Sequence, residues 1–239
     1  METQQLLKDY SDQEKGAYLT AIASIASADR SASEEELDYL KLLSQEANLS
    51  GDQKDAVMLA AQETNDTNLR SSLDELKNSE LKFSLVTDLL SFAKSDTNYS
   101  DEERTKIEGV ANYLDIDQNQ YEALNQFVDK TATSNVNPEE VTNPDFLSSL
   151  GLEDKFKSAG LNMGSIGKGL LGILAPLILS KLMGSRSGST GMGGLGGGLG
   201  GLLSGLGGSG SGGGLGSLIS ILSGGRGLGS AGGLLSKIL

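Results

Sequence analysis

Two short runs of oxygen-bearing side chains are the first place to look for chemistry in this chain. Asp29, Ser31, Ser33 and Glu36 stand at positions 1, 3, 5 and 8 of one turn, and Asp96, Asn98, Ser100 and Glu103 repeat that spacing 67 residues later. Carboxylate, amide and hydroxyl oxygens converging from one loop are what Ca²⁺ or Mg²⁺ takes as ligands. Neither turn completes a helix–loop–helix calcium site, because position 6 holds Glu34 or Asp101 instead of glycine and position 12 holds Leu40 or Ile107 instead of glutamate. Asp115-x-Asp117-x-Asn119 fails in the same way, with Gln120 and Gln126 at those places. Ser33-x-x-Glu36 and Ser100-x-x-Glu103 also have the form of a capping box, in which the hydroxyl and the carboxylate each take up a free N–H at a helix start. Asp29 and Asp96 are left with two roles, capping loop N–H groups or ligating a cation. The candidate metal residues are therefore Asp29, Glu36, Asp96 and Glu103.

Other chemistries are poorly served. The chain has no cysteine and no histidine, so thiolate and imidazole sites for zinc, haem or iron–sulfur clusters lack their ligands. No triad or nucleophile elbow is present, and Gly167-Lys168-Gly169 lacks the rest of a phosphate loop. Gly196-x-Gly198-x-x-Gly201 spells a dinucleotide fingerprint, but it lies in a glycine tract with no strand before it. An enzyme working through acid pairs is disfavoured, since no aromatic-lined pocket is legible around them. The chain is expected not to be an enzyme.

The turns need helices to hold them, and the sequence supplies helices. Tyr18, Ile22, Ile25 and Ala26 recur at helical spacing before the first turn, and Leu37, Leu40 and Leu43 after it. The second copy has Ile107, Val110 and Leu114 in the matching place. A third helix follows each copy, through Val57, Leu59 and Ala60 or through Tyr121, Leu124, Phe127 and Val128, and a short helix through Leu69, Leu73 and Leu76 belongs to the first copy alone. No alternating β-branched run occurs. The fold class is all-α, a duplicated helical bundle of about seven helices within residues 1–130, with repeats at about 12–78 and 79–130.

Composition divides the rest. Thirty of the 33 glycines lie after residue 150; all 32 acids lie in residues 1–155 with 13 bases, and residues 156–239 carry six bases and no acid. Residues 131–145, with two prolines and no apolar stripe, read as a linker. Residues 146–183 form an amphipathic and then apolar segment, starting with a short helix over Phe146–Phe156. Gly169 to Leu179 is an uncharged run between Lys168 and Lys181, and as a helix it reaches roughly 16 Å, short of a ~30 Å hydrocarbon core. A conventional span is disfavoured, which leaves an interfacial or re-entrant segment with Lys168 and Lys181 at the headgroups, and Lys168, Leu170, Leu171, Ile173, Leu174, Leu177, Ile178 and Lys181 are the candidate residues for membrane or self-association. Residues 184–239 are a Gly/Ser/Leu-rich tail, largely disordered in isolation. Its leucines fall on helical stripes, for which the glycines allow close packing against lipid or other copies. The acidic first half offers no basic face to nucleic acid.

An apolar helix ending in an Asp turn, followed by Ser-x-x-Glu and a second amphipathic helix, then duplicated, resembles the TerB-like family, named for tellurite resistance. The match runs over about residues 12–130 and rests on Ala28-Asp29-x-x-x-Ser33-x-x-Glu36 and Ser95-Asp96-x-x-x-Ser100-x-x-Glu103. Family members usually carry glycine after the aspartate, where Arg30 and Thr97 stand here. The resemblance implies an all-helical, non-enzymatic stress-response module, divalent-cation binding by the acids, and work beside the inner membrane with membrane partners. The expected function is a cytoplasmic stress-response or scaffold module, associated with a membrane surface or membrane protein through its tail. The alternative is a self-assembling structural protein whose tail drives homo-oligomers. Ca²⁺ or Mg²⁺ is the cofactor class to test.

Overall fold

The computed structural model describes residues 6–26, 34–63, 66–95, 101–133 and 145–170. These form ten helices and no strand: α1 (Asp12–Ala26), α2 (Glu34–Glu46), α3 (Gly51–Gln62), α4 (Asp66–Leu76), α5 (Leu81–Ser95), α6 (Asp101–Tyr113), α7 (Gln118–Thr133), α8 (Phe146–Ser149), α9 (Glu153–Ser158) and α10 (Met163–Gly169). Seven of them fall in the duplicated half, and α4 is the helix without a counterpart there. The candidate linker begins inside a helix, since α7 runs on to Thr133.

The repeat is kept down to its turns. Helices α2 and α6 are offset by 67 residues at both ends. Each ends in a residue forced to positive φ, Asn48 at 54° and Asp115 at 56°. The next amide then reaches back into the last helical turn, Leu49 N to Ser44 O at 3.1 Å and Ile116 N to Ala111 O at 2.9 Å. This closes carbonyls that the helix end would leave without donors. Asn and Asp tolerate the left-handed region better than other non-glycine residues. The following helices start alike: Ser50 Oγ accepts from Gln53 N at 3.4 Å, and Asp117 Oδ1 accepts from Gln120 N at 2.9 Å while Gln120 Oε1 accepts from Asp117 N at 3.1 Å. The reciprocal pair is a capping box.

Helices α1 and α5 occupy equivalent, central places. A surface helix shows one apolar stripe, whereas a helix packed on all sides is buried all round. Tyr18, Leu19, Ala21, Ile22, Ala23 and Ile25 are all buried on α1, as are Leu81, Leu85, Val86, Leu89, Leu90 and Ala93 on α5. The single stripe read on α1 is therefore only part of its buried surface. Helix α1 packs against α3 and α4, and α5 against α7, α6 and α10. Leu69, Leu73 and Leu76 of α4 are each fully buried. At roughly 1.5–3 kcal/mol per buried large apolar side chain, that face holds the helix in place. Leu59 of α3 points outward, 46% exposed, beside the buried Val57, Ala60 and Ala61.

Residues 145–170 join the same core. Phe146, Leu147, Leu152, Phe156, Leu161, Ile166 and Leu170 belong to one apolar cluster with the bundle. Phe127 of α7 meets Phe146 and Phe156 edge to face, with ring centroids 6.1 Å and 5.9 Å apart. The single helix expected over Phe146–Phe156 is broken in two. Gly151 adopts φ 67° and Leu152 N turns back to Leu147 O at 2.9 Å, so the chain reverses before Glu153. Gly160, also at φ 67°, ends α9 in the same way with Leu161 N on Phe156 O at 2.9 Å.

Candidate functional site

The two acidic turns are framed identically. The first lies between the end of α1 at Ala26 and the start of α2 at Glu34, the second between the end of α5 at Ser95 and the start of α6 at Asp101. The helices thus begin directly after Ser33 and Ser100, the positions that the capping boxes require. Asp29 and Asp96 lie outside the described residues. Glu36 and Glu103 are placed by their backbone in the first turns of α2 and α6, with their side chains outside the described set. Among the described residues, no group of three or more acids has the arrangement of a metal site.

Of the candidate association residues, Lys168 and Leu170 are described and Leu171, Ile173, Leu174, Leu177, Ile178 and Lys181 are not. Lys168 stands on the outer side of α10 and pairs with Asp9 at 2.7 Å. That hydrogen bond holds the Asp9 carboxyl below its usual range. Leu170 is completely buried. Gly169 lets α10 lie directly on α5: a Cβ there would stand 2.2 Å from Ser84 Oγ and 2.8 Å from Leu81 Cδ2. Ser84 Oγ donates to Ile166 O at 3.0 Å, so the contact is polar as well as close. Among the described residues, no helix is long and apolar enough to cross a membrane.

The centre of the bundle holds a polar group that the pattern of helical stripes did not reveal. Asp88 of α5 is 1% exposed, and the Tyr18 hydroxyl of α1 donates to its Oδ2. Tyr39 of α2 is buried nearby, and desolvation together with the negative charge of Asp88 pushes its hydroxyl well above the ordinary phenol range. The Tyr39 hydroxyl has no hydrogen-bond partner among the described residues. The Tyr39 phenol therefore stays neutral. Tyr18 and Asp88 tie the two repeats together across their central helices, which is a structural role. The signal was present in sequence as one acid amid the apolar run Leu81 to Ala93.

Two further groups are tuned by their surroundings. Partial burial pushes Glu14 upward, but Ser79 Oγ at 2.6 Å and the backbone and hydroxyl of Ser11, both at 2.8 Å, outweigh it and hold Glu14 below the usual carboxylate range. Glu14 N in turn donates to Ser11 Oγ at 3.2 Å, which makes a capping box at the start of α1 and ties that helix to the α4–α5 turn. Tyr10 is pushed up to about 12 by burial and the charges of Glu80, Glu14 and Asp9.

Compared with models of known families, residues 3–126 match Tellurite resistance protein TerB, just over half of the 239-residue chain. The chain belongs to that family. Comparison with curated proteins and with solved structures gave no match. The matched region ends inside α7, so α8, α9 and α10 pack onto the bundle from beyond it.

Proposed function

We propose that this TerB-family chain is a non-enzymatic stress-response or scaffold module that associates with a membrane surface through residues beyond its bundle. The family is generally non-enzymatic. The carrying observation is where apolar surface remains. Leu59 is the one large apolar side chain exposed among the described residues, and the apolar run Leu171 to Leu179 continues from the buried Leu170. The bundle has satisfied its own hydrophobic side chains, which leaves association chemistry to that run and its flanking lysines. The place of action is the cytoplasmic face of the inner membrane. Flotation of the full chain with vesicles of phosphatidylethanolamine and phosphatidylglycerol tests this. Wild type floats, and the Ile173→Asp/Leu177→Asp variant stays at the bottom; equal flotation of the two refutes the reading. Substitution is preferred to a cut at Lys130, which would remove Phe146 and Phe156 from the core.

The same reading assigns divalent-cation binding to Asp29, Glu36, Asp96 and Glu103. Its support is the equivalent placing of the two turns, each joining a central helix to the helix that follows. Ca²⁺ or Mg²⁺ at a hundredfold excess over its Kd stabilises the folded state by about 2.7 kcal/mol. Thermal unfolding of wild type therefore moves upward with the ion, and Asp29→Asn/Asp96→Asn does not follow. Equal response of both proteins leaves capping as the role of these acids.

A further inference from the structure

We propose that the segment covering α5 is exchangeable between copies, so that residues 145–170 of one chain seat on the bundle of a second and each completes the other in a closed dimer. Helix α1 packs against α3, the third helix of its repeat, and against α4; α5 packs against α7, the third helix of its own, and against α10. The two outer covers, α4 and α10, differ in how they are tied to the chain. Three residues, 63–65, separate α3 from α4, a reach of about 10 Å that obliges α4 to cover its own bundle. Eleven residues, 134–144, separate α7 from Asp145, a reach of up to about 40 Å. That is nearly twice the length of the 15-residue α5 at ~1.5 Å per residue. Chain length therefore lets the cover of α5 come from either copy.

The seat selects this segment over an unrelated apolar helix. A Cβ at position 169 would stand 2.2 Å from Ser84 Oγ, so the close approach there requires glycine. Ser84 Oγ donates to Ile166 O at 3.0 Å, Gln120 Nε2 donates to Ala159 O at 3.4 Å, and Lys155 pairs with Glu122 at 3.7 Å. Phe127 receives the rings of Phe146 and Phe156 edge to face. A second copy of the chain brings all of these groups at once. The exchanged dimer keeps the contacts that the segment makes in two monomers, and such swapping is a low-cost route to dimers. The balance is then set by the effective concentration of the chain's own segment, on the order of a millimolar for a short connection. Phe146, Phe156, Ile166 and Leu170 are buried, so the segment is held firmly once seated. Exchange is therefore decided as chains fold together, and a dimer once formed persists on dilution.

The chain has no cysteine, which permits a direct test on the full chain, without lipid and independent of the membrane reading. Glu122→Cys and Lys155→Cys are made singly and together; the pair joins α7 to α9, and neither side chain is buried. Each protein is unfolded in urea, refolded dilute or concentrated towards the millimolar range, treated with a short bismaleimide, and examined by light scattering and on a denaturing gel. The double variant refolded dilute links within one chain. An equal mixture of the two single variants gives covalent dimer when refolded concentrated and none when dilute, its share rising about tenfold per tenfold in chain concentration while monomer predominates. Each single variant alone gives none. A concentrated mixture that stays monomeric overturns the exchange. So do dimers that the mixture leaves unlinked, which another surface must hold, and so does equal linking by a single variant alone. A double variant that links in neither form removes the seat itself and overturns the exchange with it.

Discussion

Phe156→Ala gives the most decisive measure of where this domain ends. Phe156 lies on α9, outside the family-matched region, and is 1% exposed. Its ring contacts Phe127 of α7 edge to face at 5.9 Å, and Phe127 also holds Phe146. Truncating a buried phenylalanine costs about 3–5 kcal/mol through lost transfer energy and the cavity left behind, a figure that includes the ~0.5–1.5 kcal/mol special to an aromatic pair. At roughly 2–4 °C per kcal/mol for a domain of this size, Tm falls by about 10 °C. The assay is thermal and urea unfolding of the full chain, followed by circular dichroism, with Lys157→Ala as the exposed control on the same helix. The control stays within about 0.5 kcal/mol. A loss below about 1 kcal/mol for Phe156→Ala, with a single transition, would show that residues 145–170 add nothing to the core and would refute the packing argument.

The central tyrosines separate by partner. Tyr18→Phe removes a hydroxyl donor to a buried carboxylate and lowers stability by about 1.5–3 kcal/mol, whereas Tyr39→Phe removes a hydroxyl that makes no hydrogen bond among the described residues and leaves stability equal or higher; equal losses in urea unfolding would contradict this. Glu14 supplies a pH test. Its folded pKa is depressed, so its contribution is present above the ordinary Glu value of about 4.3 and is lost as pH falls through the folded value. Ser79→Ala weakens that depression, so the stability gap between wild type and variant, measured by urea unfolding, narrows on acidification. A gap independent of pH sinks the assignment.

Local signals in the sequence were enough for the helices of the duplicated half. Capping residues and 3.6-residue periodicity act within a few residues, so α2 and α6 begin directly after Ser33 and Ser100 and their offset of 67 was legible without coordinates. The family resemblance over about residues 12–130 rested on the same turns and agrees with the match over residues 3–126. Asp88 stood out in the sequence as one acid amid an apolar run, but its burial was not legible, because a carboxylate becomes buried only through the helices packed around it. The stripe on α1 gave one face of a helix that is covered on several, since α3 and α4 arrive from distant sequence. Gly151 broke an expected helix because a single residue at positive φ overrides an apolar pattern.

What the residues alone determined about this protein is its class: helices, duplication, and an apolar, glycine-rich stretch over residues 156–239 that carries no acid. Tertiary structure decided which apolar side chains are already spent. Leu170 belonged by pattern to a lipid-binding run, yet it is buried against the bundle, held there by the approach that Gly169 permits and the pair between Lys168 and Asp9. Burial of that kind depends on surfaces brought together from residues 9, 84 and 170, a separation that no local rule of sequence spans.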